Sequence, residues 1–121
     1  GFDFGELEGL SFEQARQRWP AEHAAWIGGR PDAAPPGGES VEQVAGRAER
    51  ALRRVLVEHR GRTVVLVAHA TPIKLLVCSA LGGGAASFFR LQVDTGGLCW
   101  IDWYGPDTAV VRHLNDTGQL P

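Results

Sequence analysis

The run Val64-Val65-Leu66-Val67-Ala68-His69-Ala70-Thr71-Pro72 holds the residue best placed for chemistry. His69 ends a β-branched stretch and stands just before residues that suit a helix start. In open α/β sheets, ligands bind beyond the carboxyl ends of strands. A helix N-terminus there offers free N–H groups and a positive dipole end, both suited to an anion. A histidine at that point, protonated or donating, can stabilise charge on a transferring phosphoryl group. The plainer alternative is a strand-end histidine bonded to neighbouring backbone, and the local sequence leaves both open.

Other polar residues are weaker candidates. Glu6 and Glu8 flank one residue near a turn, so their carboxylates need not converge, and a loop-bracing role serves equally well. Glu39 precedes a helix start, where its charge favours the positive end of the dipole; it can also shape the mouth of a pocket. His23, His59 and His113 lie in an Ala-rich helical stretch, at the end of a long helix and in an edge strand, and read as surface or half-buried residues. No pair of histidines has metal-ligand spacing, and neither Cys78 nor Cys99 has a CxxC neighbour, so no metal is expected. Cys78 falls among apolar residues and reads as core.

The elements that must position these residues are legible. Ser11-Phe12-Glu13-Gln14 and Ser40-Val41-Glu42-Gln43 both fit a capping box. The first opens a short helix interrupted at Pro20, with a second short helix over Ala21–Ile27. The second opens a long amphipathic helix. Val41, Val44, Ala45, Ala48, Leu52, Val55 and Leu56 recur along it at helical steps, and Gly61 stops it. Between them, residues 28–38 are dense in Gly and Pro and must be a loop. The run from Thr63 to Ala68 reads as a strand buried on both faces, as in a parallel sheet. Thr71 as cap and Pro72 at the first helical position predict a helix to Leu81. Strands near Gly97–Tyr104 and Ala109–Leu114, with Gly105-Pro106-Asp107-Thr108 between them, read as a hairpin. The order predicts an α/β domain with a mixed sheet.

With 121 residues, a formal charge of −2, 44% hydrophobic and 21% charged residues, the composition is that of a globular domain. The charge balance argues against nucleic acid as a partner, since phosphate-backbone binding needs a basic surplus. No apolar run reaches the roughly 18 residues of a membrane span. Two cysteines are too few for a disulfide scaffold, so a reducing, cytoplasmic setting is expected. Methionine is absent and the chain begins Gly1-Phe2, so it reads as part of a longer protein.

Four pieces stand in order: Asp3-Phe4-Gly5-Glu6-Leu7-Glu8-Gly9; Pro36-Gly37-Gly38-Glu39-Ser40 with Arg47 beyond it; Val64–His69; and Leu114-Asn115-Asp116-Thr117-Gly118-Gln119-Leu120. Together they resemble the histidine phosphatase, or phosphoglycerate mutase-like, superfamily. Ala68-His69-Ala70-Thr71-Pro72-Ile73-Lys74-Leu75-Leu76 looks most like the α-ribazole phosphatase-like domain that follows a ribonuclease H domain in bifunctional actinobacterial proteins.

The resemblance implies a three-layer α/β/α fold with a mixed, mainly parallel sheet. Residues 1–121 would be the carboxyl-terminal part of one such domain, without its first strand. It also implies transfer of a phosphoryl group to a histidine nucleophile in an Arg-His-Gly motif, followed by cleavage by water. His69 matches the second histidine of that site. Ala70 and Thr71 match the positions after it that line the phosphate or substrate pocket. The substrate implied is a small phosphorylated molecule, and no cofactor is implied. Two alternatives stand beside the phosphatase reading: mutase-type phosphotransfer, and an anion-binding or protein-interaction module without catalysis.

No Arg-His-Gly occurs in this sequence, and Gly1 stands where the leaving-group carboxylate is expected. The 121-residue chain is therefore expected to be inactive alone. Residues 21–38 are expected to form part of a lid, with Trp26 and Arg30 as substrate contacts. A strand over 63–68 without its neighbour should expose unpaired N–H and C=O groups. It should then recruit a second chain, swap strands in a homo-oligomer, or bind a partner fragment.

Overall fold

Both capping boxes form. A computed structural model describes residues 5–118 of the chain. In it Ser11 accepts the Gln14 N–H at 3.2 Å, and the Gln14 side chain accepts the Ser11 N–H at 2.9 Å. Ser40 and Gln43 repeat the exchange at 3.2 and 2.8 Å. Each pair satisfies two of the amides that a helix start leaves without partners. They open α1 (Phe12–Arg18) and α3 (Val41–Glu58). Pro20 ends the first run and begins α2 (Pro20–Ile27), because proline lacks the N–H that an interior turn requires.

The periodic apolar face of α3 becomes the core. Val41, Val44 and Leu52 are buried, whereas Arg50, Arg53 and Arg54 are exposed. Val41 and Val44 pack with Leu75 and Cys78 of α4 (Ala70–Leu81) and with Phe88. Phe88 comes from a 3-10 helix, Gly84–Arg90, that the glycine-rich stretch after Leu81 did not foretell. Its ring also carries the ammonium of Lys74, 4.0 Å from the centroid. Burial depresses the Lys74 pKa, and it raises that of the Cys78 thiol.

The sheet consists of β1 (Leu98–Gly105) and β2 (Thr108–Asp116), an antiparallel hairpin that packs against α4. This agrees with the α/β class, but among the described residues the sheet has two strands and no parallel pair. The expected strand over 63–68 is unpaired and unburied. Every residue from 61 to 70 is exposed, with Val65 at 84% and Val67 at 95%. A β-branched run favours extended backbone, but a strand also needs a neighbour to pair with, and none of the described residues occupies that place. Trp100 is 44% exposed and Trp103 is half-buried, as expected for residues on opposite faces of a strand. No helix among the described residues is long and apolar enough to cross a membrane.

Candidate functional site

His69 is the N-cap of α4. Its backbone is extended, with φ −74° and ψ 166°, and its carbonyl accepts the Ile73 N–H at 3.4 Å. The helix thus starts earlier than Thr71 and Pro72 suggest. Thr71 is not the cap; it lies in the first turn, half-buried, and Pro72 follows it. The reason is local: the change from extended to helical backbone occurs at His69, and a proline is tolerated anywhere in a first turn, where N–H groups lack helical partners.

This N-terminus differs from those of α1 and α3. They carry a serine cap and an acidic residue in the first turn, Glu13 and Glu42. The α4 start has neither: the His69 side chain makes no capping hydrogen bond, and the first turn holds no acid. The N–H groups of Ala70 and Thr71 therefore stand at the positive dipole end beside the exposed His69, with no acid in the first turn. Such a group of donors suits a phosphate-sized anion.

Two other segments close up nearby. Gly5 begins a 3-10 turn, Gly5–Leu7, whose Glu6 N–H donates to the Pro36 carbonyl at 2.8 Å. The approach is close enough that a Cβ on Gly5 would lie 2.6 Å from the Gly37 carbonyl carbon, and φ there is +55°. The bracing contact comes from the Glu6 main chain, while the Glu6 and Glu8 side chains are exposed. The loop then ties itself to α3 through the Glu42 N–H, which donates to the Pro31 carbonyl at 3.0 Å. Glu39 holds the Arg47 guanidinium at 3.0 Å. Arg47, Val44, Ala48 and Pro72 line a groove of about 200 Å³. The Gly5 and Pro36 motifs are thus joined directly, and Arg47, paired with Glu39, shares a groove with Pro72 in the first turn of α4.

The remaining residues singled out in the sequence have these surroundings. The half-buried Trp26 meets Phe89 edge-on at 5.8 Å and packs against the core, so its ring is used in packing. Arg30 is paired with Asp32 at 2.9 Å. His59 caps the C-terminus of α3, and His113 faces Trp100 across the hairpin. His23 is half-buried, with its Nε2 enclosed and unpartnered.

Sequence reasoning missed the clamp made by Asn115. Its side chain donates to Asp94 at 2.9 Å and accepts the Asp94 N–H at 2.9 Å, tying the end of β2 to the loop before β1. Asn115 is the one non-glycine residue with positive φ, 54°, among the described residues. Asparagine tolerates this conformation better than most residues, which is the signal that could have pointed to it. Asp3, Phe4, Gln119 and Leu120 of the motifs lie outside the described residues.

Comparison with known proteins places the chain in a family over nearly its whole length. The family model of the histidine phosphatase superfamily, branch 1, matches residues 2–117. The chain is 40% identical, over 98% of its length, to the bifunctional protein Rv2228c of Mycobacterium tuberculosis, of which it spans 32%. It is 28% identical, again over 98% of its length, to phosphoserine phosphatase 1 of Hydrogenobacter thermophilus, of which it spans 56%. Among solved structures, the α-ribazole phosphatase of Shigella flexneri superposes with a TM-score of 0.79 at 26% identity, over 95% of this chain and 56% of that one. The YhfR protein of Bacillus stearothermophilus shares the fold, with a TM-score of 0.83 at 23% identity. The chain belongs to the histidine phosphatase superfamily, branch 1.

Proposed function

We propose that residues 1–121 are the carboxyl-terminal part of a phosphomonoesterase site, and that the whole protein hydrolyses small phosphate esters. His69 and the Ala70 and Thr71 amides bind the phosphoryl group. The observation that carries this reading is the uncapped, acid-free start of α4 with His69 at its cap. In the reaction, the phosphorus–oxygen bond of the ester breaks as a bond forms to a histidine nitrogen, and the alcohol leaves with a proton from a carboxylic acid. Water then cleaves the phosphorus–nitrogen bond and releases phosphate. The nucleophile comes from outside this chain, since no Arg-His-Gly occurs in it, and so does the acid, since Gly1 stands at the position expected for it. The phosphatase names of two relatives support hydrolysis.

The test is release of inorganic phosphate from an aryl phosphate by the full-length protein. His69→Ala lowers turnover by about 10²–10⁴-fold, the range for one lost charge-stabilising or proton-transferring group. An unchanged rate removes His69 from the site. The 121-residue chain assayed alone releases no phosphate, and metal-independent turnover by it would overturn the division of labour. One relative, 31% identical, is named 2,3-bisphosphoglycerate-dependent phosphoglycerate mutase. Phosphoglycerate isomerised without phosphate release would therefore favour mutase chemistry.

A further inference from the structure

α3 turns its apolar face into the core through Val41, Val44 and Leu52, which leaves the opposite face to water. At about 100° per residue, Arg50 falls opposite Val41, with Arg47, Arg53 and Arg54 to either side of it. All four are exposed, as are Arg60 and Arg62 in the turn that follows the helix. Residues 47–62 thus hold six of the chain's 12 basic residues and two of its 14 acidic ones, Glu49 and Glu58. The overall charge of −2 is an average of this basic stretch and an acidic remainder, and so does not describe the surface a partner meets here.

These arginines are also paired differently from the others. Arg16, Arg30, Arg47 and Arg112 each hold a carboxylate. Arg50, Arg53, Arg54, Arg60 and Arg62 hold none among the described residues. Arg50 instead stands three residues from Arg47 and Arg53 and four from Arg54, spacings at which like charges destabilise a helix. A Cβ added at Gly46 would meet only the end of the Arg50 guanidinium, at 3.4 Å, so the helix backbone there is open to close approach. A further layer of the same domain is a poor cover for this face. Packed layers bury apolar surface, and that of α3 already meets α4 and Phe88. Protein laid over five unpaired guanidinium groups would strip their hydration without return.

We propose that the outer face of α3 and the turn after it bind the phosphate backbone of double-stranded nucleic acid, without regard to sequence. A guanidinium presents paired donors to phosphate oxygens. A duplex carries one charge per about 1.7 Å of axis, so a row of arginines meets phosphate along its whole length. A membrane surface fits less well, because an interfacial helix must bury an apolar face and that of α3 lies in the core. The inference does not rest on the phosphatase reading, and Arg47, which lines the groove beside Pro72, is left out of its test.

The test is binding of a short mixed-sequence DNA duplex to the full-length protein across a salt series. Arg50→Gln, Arg53→Gln and Arg54→Gln together should flatten the slope of log affinity against log salt by about 2.7, at about 0.9 per phosphate contact. From a common affinity at about 1 M salt, that is about 100-fold weaker binding at about 0.15 M. Helical circular dichroism and aryl phosphate turnover should not change. Lysine at the same three positions should keep the slope. Arg16→Gln, Arg18→Gln and Arg90→Gln together, an equal change of charge at other exposed positions, should keep it too. In the free protein a dicarbonyl reagent should modify Arg50, Arg53 and Arg54, and duplex should protect them. An unchanged slope in the first variant, an equal loss in the control, poly-glutamate or anionic vesicles bound as tightly as duplex, or arginines already shielded in the free protein overturns the proposal.

Discussion

Gly5→Ala tests how the Gly5–Gly9 segment is held to the loop around Gly37. Gly5 has φ +55°, a conformation that an L side chain adopts at about 1–2 kcal/mol per residue. The new Cβ would also lie 2.6 Å from the Gly37 carbonyl carbon, and closer still to the Pro36 oxygen and the Gly38 nitrogen. These are backbone atoms that cannot rotate away, so the turn must move off and the bond from the Glu6 N–H to the Pro36 carbonyl is lost. That bond contributes about 0.5–1.5 kcal/mol net. The two effects together disfavour the docked turn by about 2–3 kcal/mol, or about 30- to 150-fold in the docked population.

The loss is local, because neither Gly5 nor Glu6 belongs to the cluster of Val41, Val44, Leu75, Cys78 and Phe88. The expected outcome is fast hydrogen exchange at the Glu6 amide with little change in the denaturation midpoint. Gly9→Ala is the control. Gly9 also has positive φ, +79°, but nothing lies within 4 Å of its added Cβ. It carries the conformational strain without the collision, and the Glu6 amide should stay protected. Equal exchange at Glu6 in both variants would refute the steric argument.

Two further outcomes are expected. Ser40→Ala should destabilise the chain more than Ser11→Ala, by about 1–2 against about 0.5 kcal/mol in urea denaturation, because Ser40 is 6% exposed whereas Ser11 is exposed. Asn115→Ala should lower stability by about 1–3 kcal/mol through two lost bonds to Asp94, whereas Asn115→Gly, which suits the positive φ, should lose the bonds alone. Donation from Asn115, and then from Gln92, holds the Asp94 carboxyl below its ordinary 3.8. A depressed folded-state pKa contributes stability that is complete above the unfolded value and lost as pH falls through the folded one. The wild type should therefore lose this contribution below pH 3.8, and the acid limb of stability should be shallower in Asn115→Gly.

Local signals were read well because local physics decides them. A serine three residues before a glutamine suffices to cap a helix, and Ser11 and Ser40 both do so. The spacing of Val41, Val44 and Leu52 names the buried face of α3 without reference to what covers it. The hairpin formed where the turn residues placed it. Contacts between distant residues were not legible. Gly5 meets Pro36, and Asn115 grips Asp94 across 21 positions, through backbone approach and side-chain reach that no spacing announces. The edge-on meeting of Trp26 with Phe89 of the later 3-10 helix is likewise a contact that no spacing announces.

The same division runs through the candidate site. The sequence alone determined that His69 ends an extended run and precedes a helix, because backbone propensity is a property of neighbouring residues. Only the tertiary structure decided that Arg47 reaches the groove beside Pro72 and that residues 63–68 stand bare. A side chain is buried, or a strand edge satisfied, only by atoms from elsewhere in the fold. Val65 and Val67 therefore keep the composition of a buried strand while 84% and 95% of their surface remains in water.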